Sequence, residues 1–206
     1  MGNQGLKWYD KPLAGDGYEY DLMTRALKKV SCEGASLEIG QRRGGGTKII
    51  MENLNTNNKI HIAVDPYGEL PYENRDNEDA KRKDYSNKMR NESLALLYPL
   101  SEELGVNFLF FNMTDEEFFC RFSDGVPVYD YDVGMVTNYC FVHFDGPHTR
   151  EIVEKEFLWV NARTRKGSVI VFDDIGHYDH DSVERIIFQH GWKLLEKAKA
   201  KASYKK

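Results

Sequence analysis

Residues 35–47 read ASLEIGQRRGGGT, and the fold is decided there. A short apolar run, Leu37 and Ile39, ends at Gly40, and Gly44, Gly45 and Gly46 follow before Thr47. Residues 48–54 carry Ile49, Ile50, Met51 and Leu54, a set that a helix buries on one face. A buried strand, a glycine turn and a helix N-terminus together form a seat for an anionic or polar cofactor group.

The chain on either side alternates in the same way. Residues 19–31 space Tyr20, Met23, Leu27 and Val30 as an amphipathic helix. Residues 59–68 alternate Ile60, Ile62 and Val64 as a second strand ending at Asp65. From Ser93 to Leu104 the spacing is helical, with Pro99 expected to kink the helix or mark its boundary. Residues 106–113 read as a strand, 114–122 as a helix with acids in its first turn, and 123–134 as a loop. Residues 138–149 begin as a buried strand that stops at Asp145-Gly146, and 150–166 form an amphipathic helix. Residues 167–179 are a strand closing on Asp173 and Asp174, 180–191 are helical, and the tail from Trp192 alternates like one or two strands. Such alternation predicts an α/β fold with a mostly parallel central sheet flanked by helices and an antiparallel C-terminal strand. The expected organisation is an N-terminal arm and helix over 1–33 and a single domain over 34–206, with a polar insertion near 66–92.

Composition narrows the class. A chain of 206 residues, 41% apolar and 30% charged, is that of one soluble globular domain. Its net charge of -5 argues against a dedicated nucleic-acid partner, and the lysines at 197, 199, 201, 205 and 206 read as a solvated strand face and tail. No run approaches the roughly 18 apolar residues of a membrane span, and no signal segment opens the chain. Three scattered cysteines without CxxC spacing suit a reducing, cytoplasmic location. The aromatic N-terminal stretch, residues 1–18, reads as an arm, which leaves a homo-oligomer open.

Ligands of open α/β sheets sit beyond the carboxyl ends of the strands. Here those ends carry Gly40, Asp65, residues 112–115, Asp145 and the Asp173-Asp174 pair. A dinucleotide fingerprint needs a second glycine where this chain has Arg42, which disfavours a pyrophosphate. Glu38 adds negative charge that suits a sulfonium or ammonium group, and Asp65 is placed to accept from ribose hydroxyls. The balance favours S-adenosylmethionine over a nicotinamide dinucleotide.

Glu38, Gly40 and Gly44, then Asp65, then FDGPH (144–148) and VIVFDD (169–174), resemble the class I methyltransferases. The nearest group is the small-molecule O-methyltransferases of the macrocin O-methyltransferase and cephalosporin-hydroxylase-like type, over roughly residues 34–192. The resemblance implies a Rossmann-like class I methyltransferase fold. It implies that Glu38, Gly40, Gln41 and Gly44 line the methionine side of the cofactor, with Asp145 beside them. Asp65 would hold the ribose, and the turn Met113-Thr114-Asp115 would lie by the adenine. It also implies a magnesium ion on Asp145, Asp173 and Asp174. The departure is Pro147, where related sequences carry a small or acidic residue.

Magnesium takes octahedral oxygen ligands and keeps waters that an acceptor diol could replace. The hydroxyl proton would go to Asp145 or His148, an imidazole being closer to neutrality. Against these roles, Asp173-Asp174 could cap the next turn and His148 could cap the helix near Thr149, while His177, His180 and His190 read as surface residues. Trp159 and Trp192 read as core. The expected activity is therefore a magnesium-assisted O-methyltransferase acting on a hydroxyl of a small molecule, a sugar or glycosylated metabolite. A nicotinamide-dependent Rossmann oxidoreductase, or a non-catalytic module that keeps the fold, stands as the alternative. Loops 1–18, 66–92 and 123–137 would shape the acceptor pocket.

Overall fold

The computed structural model describes residues 12–14, 18–68, 72–73, 81–82, 85–129 and 133–206. The chain runs α1 (Tyr20–Leu27), β1 (Ala35–Ile39), α2 (Gly45–Asn53), β2 (Ile60–Val64), β3 (Tyr72–Glu73), β4 (Lys81–Arg82) and α3 (Asn87–Leu104). It continues with β5 (Asn107–Phe111), α4 (Asp115–Arg121), β6 (Val126–Tyr129), β7 (Val133–Val136) and β8 (Tyr139–Phe144). It ends with α5 (Arg150–Asn161), β9 (Thr164–Phe172), α6 (His180–Gln189), β10 (Lys193–Lys197) and β11 (Ala202–Lys205).

Seven strands make one sheet in the order β10-β11-β9-β8-β1-β2-β5. β5, β2, β1, β8 and β9 are mutually parallel. β11 pairs antiparallel with both β9 and β10. The reason is the short connection after β10, which can close a hairpin but cannot carry a crossover. Every residue of β1 and β8 is buried, as expected where helices cover both faces. Alternate residues divide the core. Leu37, Ile39, Val142, Phe144, Ile170 and Phe172 pack toward α5 and α6, and Phe141, Val169 and Val171 pack toward α1 and α2.

The structure departs from the sequence expectation in several elements. Pro99 lies inside α3, which continues to Leu104. The carbonyl that loses its partner belongs to exposed Ala95, where water replaces the missing donor at small cost. Part of the expected 123–134 loop is instead the antiparallel β6–β7 ribbon, and Pro127 is tolerated there because the ribbon lies outside the main sheet. His180 is not a surface residue. It is 3% exposed, with Nδ1 3.0 Å from the Tyr178 hydroxyl and Nε2 2.8 Å from the Tyr204 hydroxyl. Tyr204 in turn donates to Glu184 Oε1 at 2.7 Å, so the network assigns a neutral imidazole protonated at Nε2. Residues 1–11 and 15–17 of the expected arm, and most of the polar insertion, lie outside the described residues.

Burial, reinforced by the Lys197 charge, lowers His180 to about 4 from an ordinary 6.5. Between those values the unfolded chain binds the proton that the folded chain refuses, so stability falls as pH falls through this window. The full effect is about 3 kcal/mol. Denaturant unfolding of the wild type and His180→Asn between pH 7 and pH 4 should show a shallower pH dependence in the variant by about that amount.

Candidate active site

The parallel ladder runs one residue past each strand, and this gathers the strand ends on one edge. Gly40 N–H donates to Val64 O at 2.9 Å, Asp145 N–H to Ile39 O at 2.8 Å, Asp65 N–H to Phe111 O at 3.1 Å, and Asp173 N–H to Phe144 O at 2.9 Å. Gly40, at φ +88°, is pressed against the Asp145 backbone so closely that any added Cβ would strike its carbonyl. The turn then passes through Arg42 at φ 45° to Gly44, the left-handed residue that opens α2.

Asp65 straps this turn. Its Oδ2 accepts from the N–H of Gln41 at 2.9 Å and of Arg42 at 2.7 Å. Burial raises its carboxyl, the two N–H donors oppose that rise, and the result is a group at about 7. Tyr67, from the same loop, donates its hydroxyl to the Arg42 carbonyl and packs on Phe110 at 5.7 Å. Gln41 is buried, and its Oε1 has no hydrogen-bond partner. Met113 packs against the core, and Thr114 commits its hydroxyl to capping α4 in a box with Glu117. Asp115 is buried in the first turn of that helix.

Glu38 does not face the cleft as expected. It is 1% exposed beneath the N-terminus of α2, where Thr47 donates to Oε2 and His143 Nδ1 lies 3.0 Å from Oε1. His61 Nε2 is 3.8 Å from Oε2. Burial alone would raise this carboxyl, but the hydrogen bond with His143 and the nearby His61 imidazole outweigh it and bring the group to about 2. Glu38 is a permanent interior anion that anchors the turn from below.

The other side of this edge is built from the ends of β8 and β9. Asp173 and Asp174 diverge because adjacent residues leaving a strand point opposite ways. Asp173 turns inward, 2% exposed, and forms one group with His143 and Asp145, while Asp174 joins His148 and His177 in another. Asp174 stands at φ 49° and donates its N–H to Asp173 Oδ1 at 2.8 Å. His148 Nε2 is 3.8 Å from Asp174 Oδ2 and 4.0 Å from Asp145 Oδ1, and its ring stacks on Tyr178. Asp145 is held well above the ordinary carboxylate range by burial and then by the Asp173 charge, with Lys201 opposing. Lys201 itself, expected in a solvated tail, is fully buried and donates Nζ to Asp173 Oδ2. A separate cavity of about 440 Å³ lies at the amino ends of β2 and β5, away from this edge.

A family model described as a methyltransferase domain matches residues 37–175. The chain belongs to this methyltransferase family. It is an S-adenosylmethionine-dependent methyltransferase. Among solved structures, the calicheamicin methyltransferase CalS11 is similar at TM-score 0.63 and 15% identity, over 89% of this chain and 77% of that one. The O-methyltransferase NovP gives 0.57 and 14%, over 90% and 78%. An O-methyltransferase from Bacillus cereus in complex with SAH gives 0.56 and 12%, over 89% and 79%. At such identities the likeness is one of fold. The curated proteins contain no match in sequence. Among the described residues of this methyltransferase, no helix is long and apolar enough to cross a membrane.

The donor seat fits the cofactor of the family. Gln41 Oε1 is a buried acceptor awaiting a donor inside the glycine turn, and Asp65 stands at the end of β2 beside it. The expected magnesium set does not fit. Lys201 occupies Asp173 Oδ2, and Asp173 and Asp174 fall in different groups, so the three acids do not converge as one octahedral oxygen set. Sequence reasoning missed Tyr67, His143 and Lys201. Only Tyr67 left a trace, as the aromatic two residues beyond the strand-end acid.

A carboxyl at about 7 changes charge across the working range, and only its ionised form accepts from two hydroxyls. Calorimetric titration with S-adenosylmethionine should therefore show tighter binding at pH 8 than at pH 6. Asp65→Asn should bind more weakly and lose that pH dependence.

Proposed function

We propose that this methyltransferase transfers its methyl group to a hydroxyl oxygen of a small, polar acceptor, a sugar or glycosylated metabolite. The observation that carries the reading is His148, held between Asp145 and Asp174 at the carboxyl edge of the sheet, next to the donor turn. Hydroxyl groups of sugars are poor nucleophiles until they lose a proton, and an imidazole flanked by two carboxylates is a fitting place for that proton. Two of the similar folds support the class. NovP is described as an O-methyltransferase, and a second CalS11 structure as a TDP-rhamnose 3'-O-methyltransferase.

Bound S-adenosylmethionine supplies an electrophilic methyl on a sulfonium. Gly40, Gln41 and Asp65 would hold that donor, and His148 would receive the hydroxyl proton of an acceptor as its oxygen is methylated. Asp145 and Asp174 then face the imidazolium and balance its charge. Tyr178, stacked on the His148 ring, fixes the plane in which the imidazole meets the acceptor. Orientation of two reactants can be worth up to roughly 7–11 kcal/mol of such a barrier.

The test is methyl transfer to a panel of glycosides, nucleotide sugars, catechols, RNA and protein, with His148→Ala beside the wild type. Transfer to a hydroxylated small molecule is expected, slowed in the variant by about 10²–10⁴ while cofactor affinity is unchanged. Transfer confined to RNA or protein, or full activity in His148→Ala, refutes this reading.

A further inference from the structure

Lys201 sits where the chain has least room for an unpaired charge. It is fully buried, its Nζ bonds Asp173 Oδ2, and the same nitrogen lies 4.8 Å from the centre of the Tyr20 ring. The ammonium is also held from behind. Glu19 accepts the backbone N–H groups of Lys199, Ala200 and Lys201 at 3.1, 3.0 and 3.1 Å, and Ile175 N–H donates to Ala200 O at 3.0 Å. The turn that carries Lys201 is therefore tied both to α1 and to the loop after β9.

The groups around this ammonium are acidic. Asp173 touches it, and Asp145 is pushed up by burial and then by the charges of Asp173, Asp174 and Glu38, with Lys201 opposing. His143 stands between Glu38, at 3.0 Å, and Asp173, at 4.0 Å. A cluster of this kind needs a counter-charge, and ions taken out of water are stable only when closely paired. A divalent ion on Asp173 Oδ2 would have to share that oxygen with the Lys201 ammonium.

We propose that Lys201 is the resident cation of the acceptor site. It holds Asp173 and balances Asp145 in the place expected for magnesium, so methyl transfer proceeds without a metal. Lys201 is a positioning residue, since it reaches the acids and not the acceptor, and the proposal rests on the O-methyltransferase reading above only for its consequence in turnover.

The decisive experiment is a Mn²⁺ titration of the full chain followed by electron paramagnetic resonance, with cofactor present. The wild type should bind no Mn²⁺ at Asp173, and a chelator should leave its turnover unchanged. Lys201→Met should gain one Mn²⁺ per chain, lost again when Asp173→Asn is added, while Lys201→Arg should gain none. Even at the dielectric of water, a unit charge about 4 Å from a divalent ion changes its affinity by roughly 30-fold, which sets the minimum gain expected. Stoichiometric Mn²⁺ in the wild type that disappears in Asp173→Asn overturns the proposal, as does loss of turnover to the chelator, or a folded Lys201→Met that gains no ion. If Lys201→Met does not fold, the wild-type and Asp173→Asn titrations decide alone. Absence of any hydroxyl methylation would sink the functional reading and leave the resonance result to stand by itself.

Discussion

The close approach of Gly40 to the Asp145 backbone is the constraint on which the rest of the site depends. Two central strands meet there with no side chain between them, and the Asp145 N–H closes on Ile39 O at 2.8 Å. Because the glycine turn starts at Gly40 and the strand-end acids start at Asp145, this one contact fixes the distance between the turn and the acids. An alanine at position 40 would have to push β1 from β8, and its φ of +88° is one that L residues rarely adopt. The turn beyond it is tied to the end of β2, since Asp65 takes the N–H groups of Gln41 and Arg42.

Beneath the cleft a row of buried ionisable groups crosses the sheet. His61 on β2 approaches Glu38 on β1, Glu38 pairs with His143 on β8, His143 approaches Asp173 after β9, and Asp173 pairs with Lys201 before β11. Replacing such a row by apolar residues could well give a more stable sheet, because each buried charge costs several kcal/mol before its partner offsets it. What the row supplies is fixed charge in a layer where side chains cannot turn. Within it Glu38 is held below the usual carboxylate range although burial opposes it, because the His143 and His61 imidazoles face it.

The strand-end pattern was legible because it depends on local spacing. Apolar runs bounded by Gly40, Asp65, Asp145 and Asp173 locate the parallel strands, and the family match over 37–175 agrees with the motifs that pointed to a methyltransferase. What escaped was set by partners distant in sequence. Lys201 lies in KAKAKASYKK, where one lysine looks like the next, and only its pairing 28 residues back with Asp173 separates it from its exposed neighbours. His180 was hidden for the same reason, since Tyr204 is 24 residues away. Pro99 and Pro127 misled in the opposite direction. Each is a breaker by local rule, and each is tolerated because water or a free ribbon edge takes the place of the missing hydrogen bond.

An interior ammonium and a divalent ion are different tools, and the difference bears on the acceptor. A metal with open positions gathers two acceptor oxygens at once, so it favours a diol or a hydroxy-carbonyl. Lys201 makes no such demand, because it ends on Asp173 and reaches no further. On the proposed reading, selection of the acceptor then falls to His148 with its flanking acids, which need one hydroxyl brought within hydrogen-bond reach. A site of that kind accepts an isolated hydroxyl on a larger molecule as readily as one of a vicinal pair. Its specificity must be written in the shape of the loops around the edge of the sheet rather than in chelation.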